Sequence, residues 1–160
     1  MLARWCWLRP LTAYWVSRMS KKQRVLKIVL TYLGTLPFWL LIVVSFIAPQ
    51  FEAQRAFLAY GAIIASFMAG TLWRSALNGR AGVFVTLFSN VLALVAFATL
   101  LIGSITIVLL AQMILFGILL VVDASTIVED DDLRWYLKLR GSVTLVVLFA
   151  YCTMTLYSVL

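Results

Sequence analysis

The sequence contains no histidine, only two cysteines and only six acidic residues among 160. Without histidine, the Ser-His and Cys-His pairs of nucleophilic catalysis are unavailable, and so is the commonest general base. Cys6 and Cys152 lie far apart and have neither CxxC spacing nor a histidine partner, which argues against a disulfide framework and a zinc site. We therefore predict that the protein is not an enzyme, and we expect no metal ion or other cofactor.

Apolar side chains are abundant instead: 64% of the residues are hydrophobic and 12% are charged. Soluble domains are typically about half apolar and a quarter charged, and they rarely contain uninterrupted apolar stretches of about 20 residues. The composition therefore places the chain in a lipid bilayer. The net charge is +7, but the basic residues precede or separate the apolar stretches, as membrane orientation requires, which argues against nucleic acid as a partner.

Five apolar runs are long enough to cross a bilayer. They are residues 27–49, 54–73, 82–102, 104–122 and 141–160. The predicted fold class is all-α, a polytopic membrane helix bundle with five transmembrane helices. Between the third run and the fourth, the junction at Gly103-Ser104 carries almost no polar turn, which predicts a tight helical hairpin.

The distribution of lysine and arginine predicts the orientation in the membrane. With the N-terminus in the cytoplasm, an odd number of helices places 12 of the 13 basic residues on the cytoplasmic side and only Arg55 on the other. The C-terminus is then outside. We expect the bacterial inner (cytoplasmic) membrane, with the mitochondrial inner membrane as the alternative.

Residues 1–26 combine aromatic side chains and arginines with no acid, which is typical of a helix at the membrane surface. We predict an N-terminal interfacial helix here, followed by the transmembrane domain 27–160. A mitochondrial transit segment is the alternative interpretation.

The second run carries two stripes of small residues, spaced every fourth position along a helix. The first stripe is Gly61, Ala65 and Ala69, and the second is Ala62, Ser66 and Gly70. Small residues let membrane helices approach closely, so we interpret the stripes as a helix-packing face rather than a substrate path. The partner helix could belong to this chain or to another.

Asn90 and Gln112 are the two amides deep within apolar runs. A bare amide in hydrocarbon costs several kcal/mol, so both are predicted to be buried against protein. Counted from the hairpin at Gly103, their depths differ by about 6 Å at 1.5 Å per residue, which leaves a direct hydrogen bond open. We favour a role in holding helices together over ligand contact.

Other polar residues are expected to be structural. Pro37 predicts a kink within the first span. At the interface, Asp123 is a candidate ion-pair partner of Arg74 or Arg140, and Trp73 and Trp135 are expected at headgroup level. Residues 129–140 run from acidic to basic and predict a short surface helix before the last span, with metal binding by the acids as the less favoured alternative.

Three segments resemble one known family. They are Leu-Gly-Thr-Leu-Pro-Phe at 33–38, the run from Ala59 to Trp73, and Trp-Tyr-Leu-Lys-Leu-Arg-Gly-Ser-Val-Thr at 135–144. Together they resemble the DUF3429 family, which includes the transmembrane protein 69 group of mitochondria. Leu72 and Arg74 depart from the family pattern around Trp73, where many members have a polar residue or histidine before the tryptophan and a glycine after it. The resemblance implies an integral inner-membrane protein without an assigned activity.

We therefore expect a non-enzymatic accessory or assembly factor. Its partners would be the lipid bilayer and either further copies of itself, as a homo-oligomer, or a larger membrane complex. The alternatives are a small-solute transporter or channel, and a membrane sensor that binds a small ligand.

Overall fold

A computed structural model describes residues 21–48, 50–72, 80–126 and 131–159 of the chain. Within these ranges there is no strand, and six helices follow one another: α1 Lys21–Leu33, α2 Leu36–Ile47, α3 Ala53–Thr71, α4 Arg80–Thr99, α5 Ile105–Thr126 and α6 Asp131–Val159. Among the described residues, three stretches are long and apolar enough to cross a membrane, namely Arg24–Ile47, Ile105–Ser125 and Trp135–Val159, and Val83–Thr99 is a shorter apolar helix. The prediction of an all-α membrane helix bundle is confirmed, while the number of five crossings stays a prediction.

Helix α1 belongs to a unit of its own, and the chain from Gly34 onward forms a second compact unit. Within α1, the Thr31 hydroxyl donates a 2.6 Å hydrogen bond to the carbonyl of Lys27 one turn earlier. Residues 1–20 of the proposed interfacial segment lie outside the described residues, and 21–26 form the start of α1.

The first predicted span is not one continuous helix. Helix α1 ends at Leu33, Gly34 and Thr35 form a turn, and α2 begins at Leu36. Pro37 thus lies in the first turn of α2. The backbone N–H groups of a first turn have no intrahelical acceptor, so the N–H group that proline lacks costs little there. The prediction that Pro37 kinks a helix interior is therefore wrong. The Gly34 carbonyl at the turn accepts a 2.8 Å hydrogen bond from the hydroxyl of Tyr60 on α3.

Helix α3 packs against α2, α4 and α5. Its buried face carries mostly small residues, including Gly61, Ala62, Ala65 and Ala69. Small side chains bring neighbouring backbones close and gain dispersion contacts, which drive helix packing in lipid. Large apolar side chains of α2, α5 and α6, such as Phe38, complete the core around this face.

Helices α4 and α5 form the hairpin that the sequence predicts. The backbone N–H groups of Leu100, Leu101 and Ile102 bond back into the end of α4, and α5 starts after Ser104. The two helices are therefore antiparallel neighbours.

Helix α6 is continuous over 29 residues. The prediction of a separate surface helix before a span that starts at Gly141 is wrong. Glycine in a helix interior costs only about 1 kcal/mol relative to alanine, and the buried side chains of Arg140 and Thr144 anchor the helix on both sides of it. At 1.5 Å per residue, α6 is about 43 Å long and exceeds a hydrocarbon core of about 30 Å.

Candidate functional site

The main polar cluster inside the bundle is centred on Gln112 of α5, whose side chain is fully buried. Its Nε2 donates to the carbonyl of Leu58 on α3 at 3.1 Å and to the hydroxyl of Thr99 on α4 at 3.0 Å. Its Oε1 accepts a 2.6 Å hydrogen bond from the hydroxyl of Tyr151 on α6. Both N–H groups and the carbonyl of the amide are thus bonded, and one side chain connects four helices.

Gly61 of α3 lies directly beside this cluster. A Cβ atom at this position would overlap the Tyr151 hydroxyl and would lie 2.6 Å from Oε1 of Gln112. Only glycine leaves room for the two polar atoms to meet against the α3 backbone. Gly70, by contrast, has no atom within 4 Å of the place where a Cβ would stand.

Aromatic rings enclose the cluster. The Tyr151 ring lies 4.8 Å from that of Phe57, 5.8 Å from Phe38 and 5.6 Å from Phe116, measured between ring centroids. All four rings are fully buried. Edge-to-face and tilted pairs at these distances are favourable, so the rings both stabilise the core and separate the amide from lipid.

A second polar cluster joins α6 to α5 and α3. The Arg140 guanidinium lies 3.1 Å from the Asp123 carboxylate, and the two side chains are only 8% and 5% exposed. Arg140 also donates to the Thr71 hydroxyl at 2.9 Å, to the Tyr136 hydroxyl at 2.8 Å and to the Met68 carbonyl at 3.2 Å. The charge is therefore balanced by Asp123, and the guanidinium also bonds to three other acceptors of the chain.

A cleft of about 400 Å³ opens at the other end of the bundle, near the start of α3 and the end of α6. The Tyr157 hydroxyl donates a 2.8 Å hydrogen bond to the Ser45 carbonyl there, and Glu52 pairs with Arg55 at 3.1 Å. The lining residues are Ser45, Phe51, Glu52, Ala53, Gln54, Arg55, Ile105, Tyr157 and Ser158.

The small-residue stripes of the second span have different environments. Gly61, Ala65 and Ala69 of the first stripe are all buried within this chain. In the second stripe, Ala62 is buried, Ser66 is half-buried and Gly70 is exposed. The first stripe therefore packs helices of the same chain, which the sequence left open.

The two deep amides do not meet. Gln112 is buried, whereas the side chain of Asn90 is exposed and its Nδ2 donates to the carbonyl of Thr86 on its own helix. The prediction that Asn90 is buried is wrong for this chain. The rotation of α4 is set by its contacts with α3 and α5, and that rotation turns Asn90 outward.

At the predicted interface, Asp123 pairs with Arg140, and Trp135 is half-buried. Trp73 and Arg74 lie outside the described residues, as do the acids at 129 and 130. In the part of the chain that the structure describes, no group of three or more His, Cys, Asp or Glu residues is placed to hold a metal ion.

Sequence reasoning did not identify Tyr151 and Thr99 as members of the central cluster. One pattern pointed to Tyr151: a tyrosine deep in an apolar span needs a partner for its hydroxyl. Thr99 lies at the end of α4, and its own hydroxyl donates to the Ala96 carbonyl at 2.7 Å while it accepts from Gln112.

In a comparison with family models, the model of a family described as a protein of unknown function (DUF3429) matches residues 24–156. No match was found among curated proteins or among solved structures. The matched region includes both polar clusters and all helices from α2 to α5. The resemblance that the sequence suggested is thereby confirmed, and the chain belongs to the DUF3429 family.

Proposed function

We propose that this protein is a non-enzymatic membrane factor that acts through association with other membrane proteins, as an accessory or assembly component. The observation that carries the proposal is the enclosure of Gln112: its amide is fully buried and bonded to groups of three other helices. The deep polar group that would be the first candidate for ligand or solute contact is instead used to hold the bundle together.

Solute transport is less well supported. A transport path needs polar groups that converge on a cavity near the membrane midplane. Gln112 is enclosed by aromatic rings, and Asn90 is exposed on the outside of α4. The two amides therefore do not line a common path between the described helices.

Binding of a small ligand is the second candidate, and the cleft near Tyr157 favours it. Its volume of about 400 Å³ is within the range of small-molecule sites, which is about 300–1,000 Å³. A thermal-stability screen with small carboxylates, amines and neutral amides tests this candidate. A stabilising compound whose effect disappears in Arg55→Ala or Glu52→Ala would support it, and a flat screen would remove it.

We further propose a location in the bacterial inner membrane, with the N-terminus in the cytoplasm and five crossings; the mitochondrial inner membrane is the alternative. The support is the charge distribution, since 12 of 13 basic residues then lie on the cytoplasmic side. The buried Arg140 and Asp123 belong to that end of the bundle.

The test of the accessory function is extraction of tagged protein, expressed at its native level, in a mild detergent. Native mass spectrometry then gives the mass of the particle, and proteomics identifies what copurifies. We expect a stoichiometric complex with at least one other membrane protein. A particle that contains only this chain would contradict the accessory function and would transfer support to ligand binding.

A further inference from the structure

Helix α4 exposes a ridge with a seven-residue repeat. Val83, Leu87, Leu94 and Phe97 are each between 59% and 67% exposed, and Asn90 lies between them in the same row. The spacing alternates between four and three residues, so these five side chains fall within about 80° around the helix. We call this row the Asn90 seam. It has the spacing with which two helices pack along their length.

Asn90 is the polar residue in the middle of the seam. It lies ten positions after the first residue of α4 and nine before the last, which is about 15 Å from either end. Within the described residues, its side chain makes one hydrogen bond, from Nδ2 to the Thr86 carbonyl of the same helix. No described residue donates to its Oδ1, and an amide oxygen exposed to hydrocarbon is costly.

The opposite face of α4 packs inside the chain. Ser89, Leu92, Ala96 and Thr99 on that face are buried. Helix α4 contacts α3 and α5, and the seam faces away from both. The rotation of α4 is therefore fixed, and Asn90 cannot turn inward without displacing the packed face.

We propose that two copies of this chain associate through the Asn90 seam, with the two Asn90 side chains hydrogen-bonded to each other across a two-fold axis. The inference is independent of the accessory function, since a dimer is equally compatible with ligand binding.

The self-complementary amide of Asn90 favours a second copy as the occupant of the seam. Two copies inserted with the same orientation are related by an axis along the membrane normal, so their α4 helices run parallel and their Asn90 residues lie at the same depth. An asparagine carries both donors and an acceptor, so each Nδ2 can donate to the Oδ1 of the other copy. The apolar members of the seam then pack against their equivalents above and below this pair.

The seam also replaces the face that the sequence suggested for self-association. The first small-residue stripe of α3 is buried within the chain, so Gly61, Ala65 and Ala69 are not accessible to a second copy. The surface proposed for self-association is therefore the one that carries the exposed Asn90 amide, and not the small-residue face of α3.

Cysteine cross-linking in lipid vesicles tests the geometry. In the full chain with Cys6→Ser and Cys152→Ser, Leu94→Cys and Leu87→Cys are each expected to give a disulfide-linked dimer under mild oxidation. The matched controls are Leu145→Cys on α6 and Ile114→Cys on α5, which replace side chains that are 65% and 64% exposed. Cross-linking of the controls as efficiently as the seam variants would overturn the proposal.

Energy transfer between labelled copies in vesicles measures the contribution of Asn90. Asn90→Leu is expected to raise the dimer dissociation constant about 3- to 30-fold, as the loss of about 0.6–2 kcal/mol of interhelical hydrogen bonding implies. Asn90→Gln, which keeps a donor and an acceptor, is expected to stay near wild type. An unchanged dissociation constant in Asn90→Leu would overturn the proposal. It would also be overturned if the wild-type chain stays monomeric and the Asn90 seam binds a different membrane protein instead.

Discussion

Gly61 on α3 and Tyr151 on α6 are so close that a methyl group on Gly61 would overlap the tyrosine hydroxyl. The absence of a Cβ atom on Gly61 permits this contact, and the hydroxyl donates a 2.6 Å hydrogen bond to Oε1 of Gln112. The two residues are 90 positions apart in the sequence, and together they fix the distance between the third helix and the last.

Replacement of Gly61 by alanine is expected to destabilise the protein by about 1–3 kcal/mol, because the added carbon forces packed groups apart. The measurement is equilibrium unfolding in mixed micelles with increasing dodecyl sulfate, followed by circular dichroism. Gly70→Ala is the control, since its Cβ would meet no atom, and it is expected to change stability by less than about 1 kcal/mol.

A double substitution tests whether the Tyr151 hydroxyl is the obstacle. Tyr151→Phe removes the atom that the new methyl group would overlap, so Gly61→Ala is expected to cost less in the phenylalanine background than in the wild type. A double-mutant cycle gives this coupling directly. If the effects of the two substitutions on stability are strictly additive, overlap with the Tyr151 hydroxyl does not explain the cost of alanine at position 61.

Gln112→Leu is expected to destabilise the bundle by about 1–2 kcal/mol, because it leaves the Leu58 carbonyl and the Tyr151 hydroxyl without their bonds to the amide. Asn90→Leu is the matched control: it also removes a deep amide, but one that bonds only within its own helix. Measured by unfolding at detergent concentrations that keep the protein monomeric, Asn90→Leu should leave stability near wild type. Equal losses in both variants would contradict the different environments of the two amides.

Arg140→Met is expected to cost about 3–5 kcal/mol, because it leaves the buried Asp123 carboxylate without its counter-charge. The double variant Asp123→Leu with Arg140→Met should recover much of that loss. Arg55→Ala serves as a control, since the side chains of Arg55 and Glu52 are 72% and 69% exposed and exposed pairs contribute little. If the double variant is no more stable than Arg140→Met alone, the ion pair is not the source of the effect.

The proposed topology predicts which side of the membrane each turn faces. In a cysteine-free background, Gln50→Cys and Gly103→Cys are expected to react with an impermeant maleimide from outside, whereas Lys138→Cys should react only after permeabilisation. All three residues are exposed. Labelling of Gly103→Cys and Lys138→Cys from the same side would contradict a crossing by α5, the fourth predicted span.

The elements of the bundle were largely predictable from the sequence because each apolar run has the length of a membrane span. The positions at which helices begin and end were less predictable. Pro37 is equally compatible with a kinked helix and with a helix start, and only the turn at Gly34 decides between them. Gly141 resembles a boundary, yet the buried side chains on both sides of it keep α6 continuous.

The hydrogen-bond partners in the central polar cluster could not be predicted from the sequence. The amide of Gln112 must find a partner, and that requirement is visible in the sequence. Its partners Leu58 and Tyr151 lie 54 and 39 positions away, so only tertiary packing brings them together. The outward position of Asn90 was not predictable either, because lipid is as apolar as the core and the apolar pattern of α4 does not distinguish its two faces.

The location of Tyr151 on α6, which follows the other helices of the central cluster along the chain, also determines the order in which the bundle can be completed. During synthesis, the first helices enter the membrane while the residue that caps Gln112 is still on the ribosome. Until α6 is inserted, Oε1 of Gln112 lacks the hydrogen bond that the Tyr151 hydroxyl donates to it in the folded protein. Completion of the core therefore requires α6, and a chain that stops before Tyr151 would leave the Gln112 amide without this hydrogen bond.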